Sequence, residues 1–411
     1  MMRMLQIKPI LAALKRHKAG TILIVLQIAL TLAIVCNAMF IINQRVARMS
    51  RPTGMDESNL LVIQNHWVGV NTQAIPTLTH ADLLTLRQLP GVEDATRINA
   101  YPLSENGSFE GIRLDPNMKP RISLAAEYFV DDHALPTMGV QLVAGRNFRA
   151  DEIHAIDPQV ARPPSEVIIT KALADKLYSN GTALGKPIYI GNDNPPPSTI
   201  IGIVGQLQAP FPNTNFVDCA VLLPSLLEDN DGSYLIRSKP DQLAIIAKEA
   251  PATLLKLNRM RVFSSEHGIR TFDVVRIEAY KSDRGIAIVL GSICVVLLII
   301  TGAGIVGLTS FWVGQRRKQI GVRRALGATR GDILTYFLTE NFLISLLGLL
   351  IGTVLAICLS EWLVIRFEMQ RLSILYLLTS SVVLLLLGQA ATLNPALRAS
   401  RVPPVEATRS V

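Results

Sequence analysis

Charge is scarce in this chain. Of 411 residues only 18% are charged and 6% aromatic, where an ordinary soluble domain carries about 25% charge. Hydrophobic residues reach 49% and the mean hydropathy is +0.35, so a wholly soluble chain is excluded. The apolar excess is concentrated in four charge-free segments, Thr21–Ile42, Ile286–Val313, Phe342–Ser360 and Leu372–Leu393. Each meets the ~17–25 residues a helix needs to cross the hydrocarbon core. Cysteine is also sparse: Cys36, Cys294 and Cys358 fall in these spans, and Cys219 stands alone outside them. A lone cysteine has no neighbour for an intrachain disulfide, so residues 43–284 must be stable through their own core.

The motifs of common catalytic chemistries are missing. A phosphate-cradling loop needs G-x-x-x-x-G-K-[ST], and the nearest stretch, Gly181 to Pro187, is one residue short with proline in place of the hydroxyl. No G-x-S-x-G elbow, H-E-x-x-H pair or paired cysteines occur. His66, His80, His133, His154 and His267 are scattered without ligand spacing. Asp131-Asp132-His133 is the one local acid–histidine cluster, and it reads as a solvated loop or helix cap. Catalysis and a resident metal or cofactor are not expected of this chain.

The net charge of +8 is unevenly placed. Residues 1–20 hold five basic residues and no acid; residues 314–337 hold six arginines and lysines against Asp332; residues 394–411 hold three arginines against Glu406. Residues 43–285, by contrast, carry 24 basic and 27 acidic side chains. This is the bias of a membrane topology rather than a nucleic-acid footprint. The positive-inside rule places all three basic pieces, and both termini, in the cytoplasm and the large segment outside. The first span is longer than the ~7–15 residues of a signal-peptide core and no A-x-A site follows, so it reads as an uncleaved anchor.

The expected architecture is therefore a membrane α-helical protein of four spans with a large mixed α/β domain inserted between the first and second. Its divisions are a cytoplasmic amphipathic helix over 1–20 (Ile7, Ile10, Leu11 and Leu14 on one face), a span over 21–42, the exported domain with stalk helices over 43–284, and spans over 286–313, 338–363 and 372–393, with a cytoplasmic segment over 314–337 and a tail over 394–411. Within the exported domain, strands are expected at Leu60–Gln64, Glu166–Thr170, Pro187–Ile190 and Thr199–Val204. One helix is expected to open on a Thr79-x-x-Asp82 cap and another, over 241–257, to break at Pro251. Gly348 and Gly352, and Ala303 and Gly307, have the small-x-x-x-small spacing that lets membrane helices approach closely. No span carries a charge at its centre, Glu340 and Glu361 being near the ends of the third, which makes an ion-conducting path through the spans a poor reading.

The sharpest local pattern runs from Arg316 through Ile320–Leu334, IGVRRALGATRGDIL. A helix leaving the second span would display Ile320 with the arginines, Gly327 can end it by taking a positive φ, and Thr329-x-x-Asp332 can cap the next helix. A loop needing only positive charge would not need that turn and cap.

This segment resembles the cytoplasmic hallmark of MacB/FtsX-type ABC transporter permeases. The resemblance continues in ILAALKRHKAGTILIVLQIAL at the first span, in AAEYFVDDHALPTMGVQLVAGRNF, EVIITKALADKLYSNGTALGKPI and TIIGIVGQL, which look like successive blocks of the MacB-type periplasmic core domain, and in NPALRASRVPPVEATR near the end. It implies a bacterial inner-membrane permease with its large domain in the periplasm, paired with a second permease chain, identical or paralogous, and driven by two ABC ATPase subunits that bind ATP and Mg. MacB proper carries its ATPase ahead of the first span; here about 20 residues precede it, so the resemblance implies a separate ATPase subunit. Four spans differ from the ten of the bacitracin-type branch. The implied mechanism is mechanotransmission: ATP-driven closure pushes on the cytoplasmic segment and moves the periplasmic domains. Ile320, Gly321, Arg323, Arg324, Ala325, Leu326, Gly327 and Ala328 would then contact the ATPase, with Arg316, Arg317 and Lys318 as interface anchors beside membrane lipid. Three uses fit the resemblance: efflux with a periplasmic adaptor and an outer-membrane channel, which the GRNF-centred blocks favour; extraction of lipoproteins or other amphiphiles from the outer leaflet; and regulation of a periplasmic enzyme without transport.

Overall fold

A computed structural model of the chain describes residues 18–117, 121–157, 162–179, 181–191, 195–264, 268–367 and 371–403. The expected amphipathic helix around Ile7–Leu14 lies outside them. The chain divides into two compact units: a helical unit made of the residues up to Met49 and from Ser282 on, and an inserted unit spanning Ser50–Lys281.

The helical unit opens with α1 (Lys18–Met49). The inserted unit then follows in the order β1 (Leu60–Trp67), α2 (Ile75–Arg87), β2 (Val92–Ile98), β3 (Ser108–Arg113), β4 (Ser123–Val130), α3 (Ala134–Met138), β5 (Leu142–Gly145), β6 (His154–Ile156), β7 (Glu166–Thr170), α4 (Lys171–Leu177), β8 (Pro187–Ile190) and β9 (Pro197–Val204). It closes with β10 (Ala220–Leu227), β11 (Asp231–Ser238), α5 (Leu243–Leu257), β12 (Arg261–Phe263), β13 (Ile269–Thr271) and α6 (Phe272–Ala279). Back in the helical unit come α7 (Lys281–Gln315), α8 (Arg317–Ala325), α9 (Arg330–Phe367) and α10 (Ile374–Ser400). Helices α1, α7, α9 and α10 are long and apolar enough to cross a membrane. The chain is thus a multi-pass membrane protein with a large mixed α/β domain between its first and second spans.

The inserted unit holds two sheets. In the first, β12, β1, β11 and β2 lie side by side, with β13 on the same edge of β1 as β12. Alternation sends Leu61 and Ile63 of β1, with Tyr234 and Ile236 of β11, into a core closed by α2 and α5 through Leu83, Leu86, Ile246, Ala250 and Leu254. Gln64 and His66, opposite Ser233 and Asp231, point to the other face. In the second sheet the order is β4-β3-β8-β9-β7-β10, and β10 also pairs in parallel with β4, so the strands close on themselves; β5 and β6 add to β9 and β10.

The expected strands are present. The helix expected to open at Thr79 instead starts at Ile75, with Pro76 in its first turn, where the missing N–H costs nothing. Thr79 and Asp82 are fully buried inside it, and Asp82 accepts both Arg261 Nη atoms at 2.8 Å and the Tyr234 hydroxyl at 2.5 Å. Arg261 also lies over the Trp67 ring, 4.1 Å from its centroid. Pro251 does not break α5: the helix runs through to Leu257 with Pro251 buried, because Ala250 and Leu254 on either side pack into the first sheet's core. Asp131 is no solvated residue either. It is buried, receives Arg87 Nη2 at 3.0 Å and Thr96 Oγ1 at 2.5 Å, and caps the turn before α3 through the His133 N–H. Burial outweighs these partners and raises its carboxyl above the ordinary value. Cys219 is fully buried, with Lys176 Nζ 3.1 Å from its sulfur, which removes it from intermolecular bridging.

Candidate functional site

In the helical unit α1 is the most enclosed helix. Ile24, Val25, Ile28 and Leu32 pack with Ile305 and Trp312 of α7, Ile344 and Leu349 of α9 and Leu384 of α10. Small residues make the α1–α9 contact possible: a Cβ on Gly348 would lie 2.9 Å from Ile28 Cβ, and one on Gly352 would lie 3.0 Å from the Ala29 backbone. These two glycines therefore pack α9 against α1 within the chain. Ala303 and Gly307 face outward on α7, and a Cβ on Gly307 would meet nothing within 4 Å. Polar side chains bridge the helices where hydrocarbon offers no other partner. Thr31 and Thr301 hydroxyls are 2.8 Å apart, Asn37 donates to the Ala356 carbonyl, and Asn341 donates to that of Gly388.

The two ends of this bundle differ. At one, Arg45 pairs with Asp283. At the other, Gly20 lies against the Trp312 ring, α7 ends, and the chain turns through α8 into α9. That second end carries Arg316, Arg317, Lys318, Arg323, Arg324, Arg330, Arg398 and Arg401.

Helix α8 is locked in place from three sides. Arg316, at its N-terminus, is buried and sends Nη1 to both carboxylate oxygens of Glu340 on α9, each at 3.0 Å. Arg324 Nη1 donates to the carbonyls of Ser400, the last residue of α10, and Val402, just beyond it, both at 3.0 Å. Arg323 stands over the Tyr336 ring at 4.9 Å. Ile320 is buried among Val313, Ile333, Phe337, Ala396 and Ala399. The helix ends in a Schellman turn: Gly327 takes φ +97°, its N–H reaches the Arg324 carbonyl, and the Ala328 N–H reaches that of Arg323. Thr329 and Asp332 then cap α9 reciprocally, the Thr329 N–H and hydroxyl donating to Asp332 Oδ2 and the Asp332 N–H to Thr329 Oγ1.

This arrangement divides the sequence-expected residues. Ile320 and Gly321 face the bundle, Arg324 is engaged with carbonyls of the same chain, and Arg316 is buried in an ion pair instead of standing at a lipid interface. Arg323, Ala325, Leu326 and Gly327 are exposed. Leu326 is 84% exposed, and Val322, one turn back, is 46% exposed. Val322 completes an apolar knob that the expected set omits; its i, i+4 spacing from Leu326 is the signal that marks it.

Two family descriptions match this chain. Residues 21–253 match the MacB-like periplasmic core domain, and residues 291–404 match the FtsX-like permease C-terminal domain. The chain belongs to the MacB/FtsX-like family of ABC transporter permeases. The macrolide export ATP-binding/permease protein MacB of Bordetella avium is 25% identical over 96% of this permease and 58% of its own length. Its namesake in Chromobacterium violaceum is 29% identical over 53% and 32% respectively. The permease spans about half the length, or less, of such curated relatives. Among solved structures, the periplasmic region of MacB from Actinobacillus actinomycetemcomitans aligns with 56% of the permease at 14% identity and a TM-score of 0.35. The permease's large domain is extracytoplasmic. Among its described residues no three His, Cys, Asp or Glu side chains gather as metal ligands.

Proposed function

We propose that this chain is the permease of an ABC exporter in a bacterial inner membrane, with both termini and α8 in the cytoplasm and α8 as the element an ABC ATPase grips. The observation that carries this is the contrast at α8. The helix is fixed to α9 and α10 by Arg316, Arg324 and Ile320, yet it presents Leu326 and Val322 to solvent among exposed cations. An exposed leucine on a rigid, basic element at the water-facing end of a bundle has the form of a docking knob. Force applied to it would pass to α9 through the Arg316–Glu340 pair and the Ile320 cluster, which join the two helices. ATP and Mg would be bound by the ATPase.

The work would be done on a substrate outside the membrane by movement of the extracytoplasmic domain, in an assembly of two permease chains. Ala303 and Gly307, outward-facing on α7, offer a close-packing face for the second copy. Efflux with a periplasmic adaptor and an outer-membrane channel is the preferred use; the similarity to macrolide export proteins supports the export part of that reading.

The test is to tag the chain, extract it from its native membrane in mild detergent, identify co-purifying proteins and assay ATP turnover. A near-stoichiometric ABC ATPase with turnover above background is expected. Its absence across several mild detergents, with background turnover, would overturn the coupling reading.

A further inference from the structure

Between the two sheets of the extracytoplasmic domain lies an open cleft of about 1260 Å³. One wall is built by three adjacent strands whose alternation sends the same set of side chains inward. Ser108 of β3 lies opposite Glu127 of β4, and Phe129 of β4 lies opposite Leu223 of β10. Glu110, two residues on from Ser108, shares that face. All five line the cleft. The floor is therefore apolar at one end and doubly acidic at the other.

The acidic end lacks its counter-charge. Glu127 is 91% enclosed by the protein, its relative exposure being 9%, in the middle of a sheet. Among the described residues no lysine or arginine pairs with it or with Glu110. The buried Ser108 hydroxyl beside it has no hydrogen bond of good geometry. A buried carboxylate without a cation is expensive, and such groups are normally paired or hydrogen-bonded. Desolvation, reinforced by Glu110 and only partly offset by Ser108, pushes the Glu127 carboxyl up to about 7. The other charged groups lining the cleft are Arg162, Asp229, and His66 with Asp231; the last two satisfy each other at 2.7 Å.

We propose that this cleft is a binding site for an organic cation with an apolar body, the charged nitrogen or phosphorus centre set against Glu127 and Glu110 and the body against Phe129 and Leu223. The ligand supplies the missing counter-charge. An organic cation fits better than a metal ion, because no metal-ligating cluster exists here among the described residues and Phe129 and Leu223 offer hydrocarbon beside the carboxylates. Binding strengthens as pH rises through the titration of Glu127 near 7, since the ionised carboxylate is the form that attracts the ligand. The site is independent of α8, so its failure would leave the coupling reading untouched.

The probe is tetraphenylphosphonium, measured by equilibrium dialysis against the full chain in detergent micelles, with triphenylphosphine oxide as the uncharged aryl control. Saturable binding at one site per chain is expected, weakened at least tenfold in the Glu110→Gln/Glu127→Gln double variant and by lowering the pH from 8 to 6. The uncharged control is expected to bind more weakly and equally to both proteins. Removing buried charge relieves a cost, so the double variant folds, which its unfolding transition verifies. Equal affinity of native protein and variant for the cation would overturn the proposal. So would equal binding of the uncharged control by the native protein, absence of saturable binding, or displacement of the probe by millimolar Ca²⁺.

Discussion

Arg316 Nη1 sits 3.0 Å from each carboxylate oxygen of Glu340, and both side chains are buried. The pair joins the start of the short helix α8 to the long helix α9. A buried pair contributes little net stability over a hydrophobic replacement, but breaking it strands a charge and costs about 3–5 kcal/mol. What it provides is a fixed geometry.

Glu340→Ala is therefore expected to loosen α8 and cut ATP turnover of the co-purified complex severalfold while the ATPase stays bound through Leu326. Paired replacement by Arg316→Met with Glu340→Leu should restore thermal stability without restoring turnover fully. Normal turnover in Glu340→Ala would remove this pair from the force path.

Gly327 tests the turn itself. A Cβ there would meet nothing within 4 Å, so the only obstacle to a side chain is φ +97°. Gly327→Ala should cost about 1–2 kcal/mol of local strain, and the branched Gly327→Val more. Turnover is expected to fall in the order native, alanine, valine, with membrane insertion unchanged in all three. A valine variant that inserts and turns over normally would contradict the assignment.

Several features of this molecule are legible in its sequence because they depend on residues close in the chain. Long charge-free runs mark the spans; the short β-branched apolar runs in EVIIT and TIIGIV mark two strands; Gly327 and the Thr329–Asp332 cap mark the turn between α8 and α9. Features set by distant partners are not legible. Thr79 and Asp82 have the spacing of a helix cap, but Arg261, 179 residues from Asp82, turns that aspartate into a buried anchor. Arg324 reads as a surface cation until the carbonyls of Ser400 and Val402 arrive beside it. Ile320 and Val322 are both apolar, and only the packing of α8 on α9 decides that the first is core and the second exposed. The cleft is assembled from strand pairings across more than a hundred residues, so the juxtaposition of Glu110 and Glu127 beside Leu223 has no local signature.

Glu127 should also be visible in the pH dependence of stability. Its native pKa of about 7 lies above the ordinary glutamate value of 4.5, so the folded state holds this proton longer than the unfolded state. Its contribution to stability accordingly falls as pH rises from about 4.5 to 7. Glu127→Gln should raise the unfolding temperature at pH 8, by up to about 3 kcal/mol in stability, and make little difference at pH 4. Asp131 is raised as well, so the native protein is compared with the variant at each pH, and the difference isolates Glu127. An unfolding temperature at pH 8 unchanged or lowered in the variant would contradict the shift.

The Asp82–Arg261 pair makes a stability prediction with the opposite sign. Both side chains are almost fully enclosed, and Tyr234 shares the carboxylate. Asp82→Ala should destabilise the extracytoplasmic domain by about 3–5 kcal/mol, because it leaves the guanidinium buried and unpaired. Denaturant unfolding of the full chain in detergent measures this, and a loss below about 1 kcal/mol would show that the pair is not held as described.

The most direct test of the account is the exposed knob on α8. Leu326 is 84% exposed and touches little of its own chain, so Leu326→Asp should leave folding and membrane insertion intact. The measurement is the ratio of co-purified ABC ATPase to permease, together with ATP turnover, in native and Leu326→Asp protein isolated side by side. At least a tenfold loss of bound ATPase and turnover at background are expected, with Val322→Asp giving a smaller loss of the same kind. A Leu326→Asp protein that retains its ATPase and hydrolyses ATP at the native rate would contradict it.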